Sequence, residues 1–311
     1  MAGRIRVREL AFYLRYRLDR GLRRALRQHV IAPMPAATLE EALTGPQDPV
    51  ALARLLVGRT NADREAAVAA YLERRGWPFE RHAFATFEGR GENFHVDVGS
   101  GDRMLVLVAH HDAVPGSPGA NDNAVAVGIL LHLIDALARR PPTHLRVRFL
   151  FPAAEELGYL GARAYVRDRP LAGIVGVLSL ELCGIGDSVV IWDAPPAAPF
   201  LKSATGALQA LGRRPDESYH VVGRIPVFGS DHRAFAAAGI PAYGLSIVPA
   251  READALRRFV LSPVRSTFRA VVHRPPPFDT YHSPRDALST LEPAACAAVV
   301  AALDAIIAEL A

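Results

Sequence analysis

Histidine and carboxylate side chains follow three segments of the sequence that are mainly apolar and read as strands. The segments and the residues that follow them are 104–109 with His110, His111 and Asp112, 145–154 with Glu155 and Glu156, and 174–180 with Glu181. Imidazole nitrogen and carboxylate oxygen both bind zinc. Several carboxylates at one place would repel one another, and divalent cations remove that conflict. The pattern therefore predicts a metal centre.

Two further candidate ligands lie on predicted loops. Asp122 stands in PGANDN, at the entrance of a helix, and His282 stands in YHSP. The predicted ligands are therefore His110, Asp122, Glu156, Glu181 and His282. If Asp122 bridges two zinc ions, each ion has three protein ligands and an open position for water. Glu155 is then adjacent to a ligand but free of metal, which suits a general base.

Each of these residues has a simpler explanation when it is taken alone. A single histidine after a strand is usually an ordinary surface or core residue. Asp122 by itself could be a helix N-cap, and the pair at 155–156 could be a solvated turn. The conjunction of all of them, at the ends of three strands and on two loops, favours the metal centre.

Strands and helices alternate along most of the chain, which determines where these side chains meet. Further strands are predicted at 79–87, 93–98 and 242–248, and helices at 39–43, 51–57, 63–75, 125–138, 161–167, 200–211, 231–238 and 293–310. Such alternation produces a mostly parallel sheet covered on both faces, which binds ligands beyond the carboxyl ends of its strands. The predicted fold is a three-layer α/β/α domain with a mostly parallel, mixed central sheet.

Residues 1–38 are predicted to be an extension outside this domain. Arginines separate apolar residues at helical spacing from 5 to 30, and 31–38 has the composition of a linker. The basic helix either makes weak contact with a membrane surface or a partner, or packs as a solvated helix. Residues 39–311 are predicted to form one catalytic domain, in which 248–279 is a loop region.

The composition is that of a folded globular protein. Of the 311 residues, 50% are apolar and 22% are charged, and the formal net charge is +4. Arginine is densest in the first thirty residues, so no nucleic-acid partner is predicted. The sequence shows no disulfide framework and no secretory leader, and no stretch reads as a membrane span. A cytoplasmic location is therefore predicted, and the oligomeric state stays open.

Five blocks of the sequence resemble, in order, the co-catalytic zinc aminopeptidases of metallopeptidase family twenty-eight. That family also contains glutamate carboxypeptidases, the transferrin-receptor ectodomain and glutaminyl cyclases. The blocks are AHHD at 109–112, PGANDNA at 118–124, EELG at 155–158 with Gly161, SDH at 230–232 with Phe235 and GIPA at 239–242, and YHSPRD at 281–286. The resemblance covers most of the chain from residue 51 and implies the phosphorylase/hydrolase-like architecture of zinc exopeptidases.

The resemblance also assigns the metal ligands. His110 and Glu181 would bind one zinc ion, Glu156 and His282 the other, and Asp122 both. Cobalt or manganese could substitute, because the donor set does not choose sharply among them. The family usually has Asp at the position of Glu181, and the longer side chain could alter the metal spacing.

Further roles follow from the same resemblance. Glu155 would take a proton from the attacking water and pass it to the leaving amine. Asp112 would hold the far nitrogen of His110, and Asp286 would act similarly near the last histidine. Tyr281 would donate to the oxyanion. Three other residues have less defined parts. His111 would point away from the metals, although it could compete as a ligand, and Asp231 and His232 would shape the pocket floor.

The favoured function is a metal-dependent exopeptidase that hydrolyses the N-terminal peptide bond. Its substrate is a peptide or an acyl-amino acid, and the preferred side chain stays open. One alternative is a glutaminyl-peptide cyclotransferase with a single working zinc, and another is a non-catalytic binding domain of the same fold. The presence of ligands for both metals disfavours both. A plain α/β domain with acidic strand ends by chance is disfavoured by the order of the blocks.

Overall fold

A computed structural model describes residues 36–195, 198–226, 228–261 and 274–311. The strands β1 to β8 are Glu80–Ala85, Arg90–Gly99, Arg103–Val108, Leu145–Phe151, Ile174–Leu180, Ser188–Trp192, Tyr219–Val222 and Ala242–Val248. They form one sheet in the order β1-β2-β4-β3-β5-β8-β6-β7. The four central strands, β4, β3, β5 and β8, run parallel, while β1, β2 and the β6–β8 pairing add antiparallel neighbours.

Helices cover both faces of this sheet. The α-helices α1 to α9 are Leu39–Thr44, Pro49–Ala53, Asn61–Arg75, Val125–Ala138, Leu160–Asp168, Pro199–Ala210, His232–Ala237, Ala253–Leu261 and Pro293–Leu310. Successive side chains of a strand point to opposite faces. On β3, Leu105 and Leu107 pack in the core that includes α2, α3, α4, α6 and α9. Val106 and Val108 pack in a second core with α5 and α7. The predicted three-layer α/β/α fold is confirmed.

Local signals in the sequence determine the bounds of α3, which brings a buried arginine towards the strand ends. The Thr60 hydroxyl accepts a hydrogen bond from the amide of Asp63 at the N-terminus, which satisfies one free N–H group. Gly76 ends the helix at φ 68°, in the left-handed region that glycine enters at little cost. The predicted helix at 63–75 is therefore confirmed, with its start two residues earlier.

The structure corrects the predicted elements in two places. Strands β6 and β7 were not predicted, because they are only five and four residues long and two residues of β7 are half-buried. The segment 248–279, predicted to be a loop, contains the helix α8. The predicted basic helix at 5–30 lies outside the described residues, so the division of the chain at residue 38 stays a prediction.

Among the described residues, two helices are long and apolar enough to cross a bilayer by length and composition alone, contrary to the prediction that no stretch is. They are Ala120–Ala138 and Pro293–Leu310, with 78% and 44% of their apolar windows buried inside the protein. The first of them contains α4, which packs within the main core. Its apolar character therefore has a sufficient explanation in the packing of this domain.

Candidate metal centre

The strand-end residues converge at one edge of the sheet. His110 follows β3 by two residues, Glu155 and Glu156 form the 3-10 turn after β4, and Glu181 directly follows β5. These three strands are neighbours and run parallel, so their carboxyl ends lie side by side. The structure thus brings the predicted side chains together for the reason anticipated from the strand pattern.

Two groups of potential ligand atoms meet at this edge. They are His110, Asp122 and Glu181 in one group and Asp122, Glu156 and His282 in the other, with the ligand atoms of each group within 4.8 Å of one another. The Nε2 atom of His110 lies 3.4 Å from Oδ1 of Asp122, and Nε2 of His282 lies 3.0 Å from Oδ2 of the same residue. Each carboxylate oxygen of Asp122 therefore faces a different group, which is the arrangement that a bridging ligand requires.

The second carboxylate of each group lies at a similar distance from the histidine of that group. His110 Nε2 is 3.5 Å from Oε1 of Glu181, and His282 Nε2 is 3.1 Å from Oε1 of Glu156. The sequence predicted these five ligands, and their role in binding metal stays a prediction.

A buried carboxylate holds the turn that carries Asp122. Oδ1 of Asp286 accepts a hydrogen bond from the amide of Asn121 at 2.7 Å, and Oδ2 accepts one from the amide of Asp122 at 3.1 Å. Burial and the charge of Asp122 raise the pKa of Asp286 to about 7, although these two amides oppose the rise. Asp286 was predicted to act near His282. In the structure its carboxylate instead positions the turn that carries Asp122, the predicted bridging residue.

Asp112 contacts His110 but serves the neighbouring turn as well. Nδ1 of His110 lies 3.1 Å from the backbone oxygen of Asp112 and 3.5 Å from its Oδ1 atom. The closer contact assigns the proton to Nδ1 and leaves the lone pair of Nε2 for a metal. The carboxylate of Asp112 accepts hydrogen bonds from the amides of Glu155 at 2.9 Å and Glu156 at 3.1 Å. It therefore links the first histidine to the paired glutamates.

Besides Asp112 and Asp286, two further buried acids near the centre belong to neither ligand group. Burial raises the pKa of Glu155 well above its ordinary value, and the carboxylates of Glu181 and Glu156 add to the rise. Asp231 is fully buried, and neither of its carboxylate oxygens has a hydrogen-bond partner among the described residues. Burial raises the pKa of Asp231 as well. Both groups therefore have a strong tendency to hold a proton in the metal-free protein.

The donors fit divalent cations. His110 Nε2 and Glu156 Oε1 are buried without a hydrogen-bond partner among the described residues. Burial alone would lower the pKa of His110, but Glu181 and other carboxylates raise it well above its ordinary value. Burial likewise opposes the rise at His282, where Glu156 and its neighbours bring the pKa to about 9. Protonated imidazoles thus balance the carboxylates in the metal-free chain, and metal cations can replace that positive charge.

A buried arginine that the sequence analysis did not single out supports the loops of the site. Arg64 of α3 is fully buried and donates to the carbonyl oxygens of His111 at 3.3 Å, Pro118 at 2.6 Å and Gly119 at 3.2 Å. Burial lowers its pKa to about 10, and nearby carboxylates oppose that change. The burial of Arg64 could have been predicted from the helical period, because it lies on the same face of α3 as the buried Val68.

Two other side chains near the centre, His111 and Ser230, lie outside the ligand groups, and for His111 this is the predicted placement. His111 does not belong to either ligand group, since its Nε2 atom lies 3.1 Å from the backbone oxygen of Glu92 and its ring packs 5.8 Å from that of Phe94. The hydroxyl of Ser230 donates to the carboxylate of Glu181. That contact helps to orient a predicted ligand, and no local pattern in the sequence pointed to it.

An apolar cavity of about 260 Å³ adjoins the metal centre. Its lining includes Glu181 and Tyr281 at the metal side and, further away, Trp192, Val222, Ile225, Phe228, Leu256 and Val260. The ring of Tyr281 stacks on that of His282 with centroids 3.6 Å apart. Burial and nearby carboxylates raise the pKa of Tyr281 well above its ordinary value, so its hydroxyl stays a donor. Its predicted contact with an oxyanion stays a prediction.

Comparisons with known proteins identify the family of the chain. The model of Peptidase family M28 matches residues 93–307, which confirms the family resemblance. The probable lipoprotein aminopeptidase LpqL of Mycobacterium tuberculosis is 28% identical over 178 residues, which are 51% of this chain and 35% of that protein. The chain thus spans well under two thirds of the length of such curated relatives.

Solved structures share the fold. The zinc aminopeptidase BSAP of Bacillus subtilis has a TM-score of 0.56 at 20% identity, with 73% of this chain and 52% of that chain covered. The glutaminyl cyclase of an Acidobacteriales bacterium has a TM-score of 0.62 at 20% identity, with 90% of this chain and 98% of that chain covered. At these identities the likeness establishes the architecture alone.

Proposed function

The chain belongs to peptidase family M28, and on that premise we propose that it is a two-zinc aminopeptidase. The observation that carries the proposal is the position of Asp122, whose two oxygens face two separate groups of ligand atoms. In this proposal His110, Asp122 and Glu181 hold one zinc ion, and Asp122, Glu156 and His282 hold the other. When bound, zinc supplies a Lewis acid for the scissile carbonyl and lowers the pKa of water.

Glu155 is the proposed general base. It stands next to Glu156 in a turn whose amides donate to the carboxylate of Asp112. These two hydrogen bonds hold the backbone from which the side chain of Glu155 extends. Its raised pKa suits a group that accepts a proton from the attacking water and then donates it to the leaving amine. Tyr281 is the proposed donor to the developing oxyanion, since its ring is fixed on His282 and its hydroxyl stays protonated.

The apolar cavity supports cleavage next to a chain terminus. It opens beside Glu181 and Tyr281 and has room for about one side chain. We assign the N-terminal residue of a peptide to it, with the free amine held among the neighbouring carboxylates. The two groups of ligands favour this function over a single-zinc glutaminyl cyclase, although such a cyclase shares the fold.

The proposal is tested with zinc-loaded protein and short leucyl peptides that have either a free or an acetylated N-terminus. We expect release of leucine from the free peptides only. Glu155→Gln should retain zinc and lose turnover by about 100-fold or more, because general-base catalysis is removed. Glu73→Gln, on an exposed side chain of α3, is the matched control and should have wild-type activity.

Other outcomes would redirect the assignment. Full activity of Glu155→Gln with zinc bound would contradict the role of Glu155. Cyclisation of N-terminal glutaminyl peptides without release of any residue would support the cyclase instead.

A further inference from the structure

One segment lines the apolar cavity and reaches a predicted metal ligand. We call residues 223–226 and 228–230 the pocket wall. Ile225, Phe228 and Gly229 of this wall line the cavity, and its last residue, Ser230, donates to the predicted ligand Glu181. The wall therefore touches both the place for the substrate side chain and the metal centre.

A buried carboxylate lies behind the wall. Asp193 follows β6, and its side chain is only 2% exposed. It accepts hydrogen bonds from the amide of Ile225 at 2.7 Å, Nε of Arg233 at 2.7 Å and Nε2 of His232 at 3.0 Å. An exposed arginine, Arg224, reaches the same carboxylate at 3.1 Å. Charge-assisted hydrogen bonds of this kind are about twice as strong as neutral ones.

Arg233 of α7 holds the wall at two further points. Its Nη2 atom donates to the backbone oxygens of Ile225, at 2.6 Å, and Phe228. A Cβ atom at Gly229 would lie 2.3 Å from Nη1 of Arg233, so the guanidinium packs directly against the wall. Asp193 and Arg233 are not among the residues that line the cavity.

The wall in turn contacts the aromatic side of the cavity. The ring of Phe228 lies 4.7 Å from that of Phe278 and 6.2 Å from that of Tyr281, and Tyr281 stacks on His282. A displacement of the wall would therefore change the width of the cavity at the side nearest the metal centre.

We propose that Asp193 and Arg233 form a clamp that positions the pocket wall and thereby sets the selectivity of the enzyme for the N-terminal side chain. The inference rests on the proposed function, which assigns the N-terminal side chain of the substrate to the cavity. A rigid apolar wall discriminates among side chains by roughly tenfold or more per methylene group. A wall that can move loses that discrimination. The affinity for a ligand without a side chain is unchanged, because such a ligand does not contact the wall. Asp193 and Arg233 are thus positioning residues.

The clamp is tested by calorimetric binding of leucine hydroxamate and glycine hydroxamate to the zinc-loaded protein. In Arg233→Met we expect the ratio of the two affinities to fall by about tenfold, with the affinity for glycine hydroxamate and the zinc content unchanged. Arg139→Met is the matched control, because Arg139 pairs with the carboxylate of Asp135 from a side chain that is 74% exposed, and neither residue lines the cavity. In this variant the ratio should stay at the wild-type value.

Three results would overturn the clamp. They are an unchanged ratio in Arg233→Met, an equal loss of affinity for both hydroxamates, and wild-type protein that binds both equally. If Arg233→Met does not fold, Arg233→Lys keeps the charge but loses the second branch of the guanidinium, and the same fall in the ratio is expected. Hydroxamate binding needs no turnover, so a protein that cleaves no peptide but shows this fall would refute the proposed function and keep the clamp.

Discussion

Both carboxylate oxygens of Asp286 accept hydrogen bonds from the backbone amides of residues 121 and 122. An asparagine at this position offers one acceptor, and its NH2 group would meet the second amide. We expect Asp286→Asn to move Asp122 and to lower zinc affinity by about 10-fold to 100-fold, as substitutions behind metal ligands commonly do.

The affinity of Asp286→Asn is measured by competition with a chelator. The control is Asp279→Asn, which lies in the same segment and is half-buried. Equal zinc affinity in both variants would mean that the turn at Asp122 is held without Asp286.

The helices α2 and α4 approach so closely that only a glycine fits between them. A Cβ atom at Gly128 of α4 would lie 2.2 Å from the backbone oxygen of Pro49 in α2. A glycine in a helix ordinarily lowers stability by up to about 1 kcal/mol relative to alanine. The close contact reverses that preference here, because the added methyl group has no space.

Two glycine-to-alanine substitutions are therefore expected to have opposite signs. Gly128→Ala should lower the free energy of unfolding by roughly 1–3 kcal/mol, through overpacking. Gly206→Ala in α6, where nothing lies within 4 Å of the added atom, should raise it by up to about 1 kcal/mol. Denaturant midpoints at constant slope measure both. Shifts in the same direction would contradict the close approach of the two helices.

The balance of charge across the whole site determines how the stability of the molecule depends on pH. In the metal-free protein the pKa of His282 is about 9, because nearby carboxylates outweigh the effect of burial. The folded state therefore binds this proton more tightly than the unfolded chain, whose histidines titrate near pH 6.5. The resulting stability is fully present below about pH 6.5 and is lost as pH rises through about 9.

We expect the metal-free protein to lose about 3 kcal/mol of stability from this residue between pH 6.5 and 9. Zinc displaces the same proton, so the zinc-loaded protein should lose much less over that range. Denaturant unfolding at a series of pH values, with and without a chelator, checks both curves. Parallel curves would exclude His282 from the metal-binding set.

Most of the candidate ligands, and the strands that precede them, could be predicted from the sequence. Buried parallel strands are apolar along almost their whole length, so the runs before His110 and Glu181 could be recognised as strands. The run before Glu155 shows the same pattern after Arg146 and Arg148. Parallel neighbours end at the same edge, and this brought the donors together. By contrast, β7 was missed because a short strand with half-buried residues has no comparable pattern.

The sequence by itself determined the six longer strands, their order in the chain and the donor residues at the ends of three of them, because each of these depends on neighbouring residues. Only the tertiary structure decided which groups support those donors. Asp286 reaches residue 121 across 165 positions, and Arg64 reaches residue 118 across 54. A polar side chain must find a partner when it is buried, but its type does not specify which one. That choice depends on packing between elements distant in the sequence, as it does for Asp193 and Arg233.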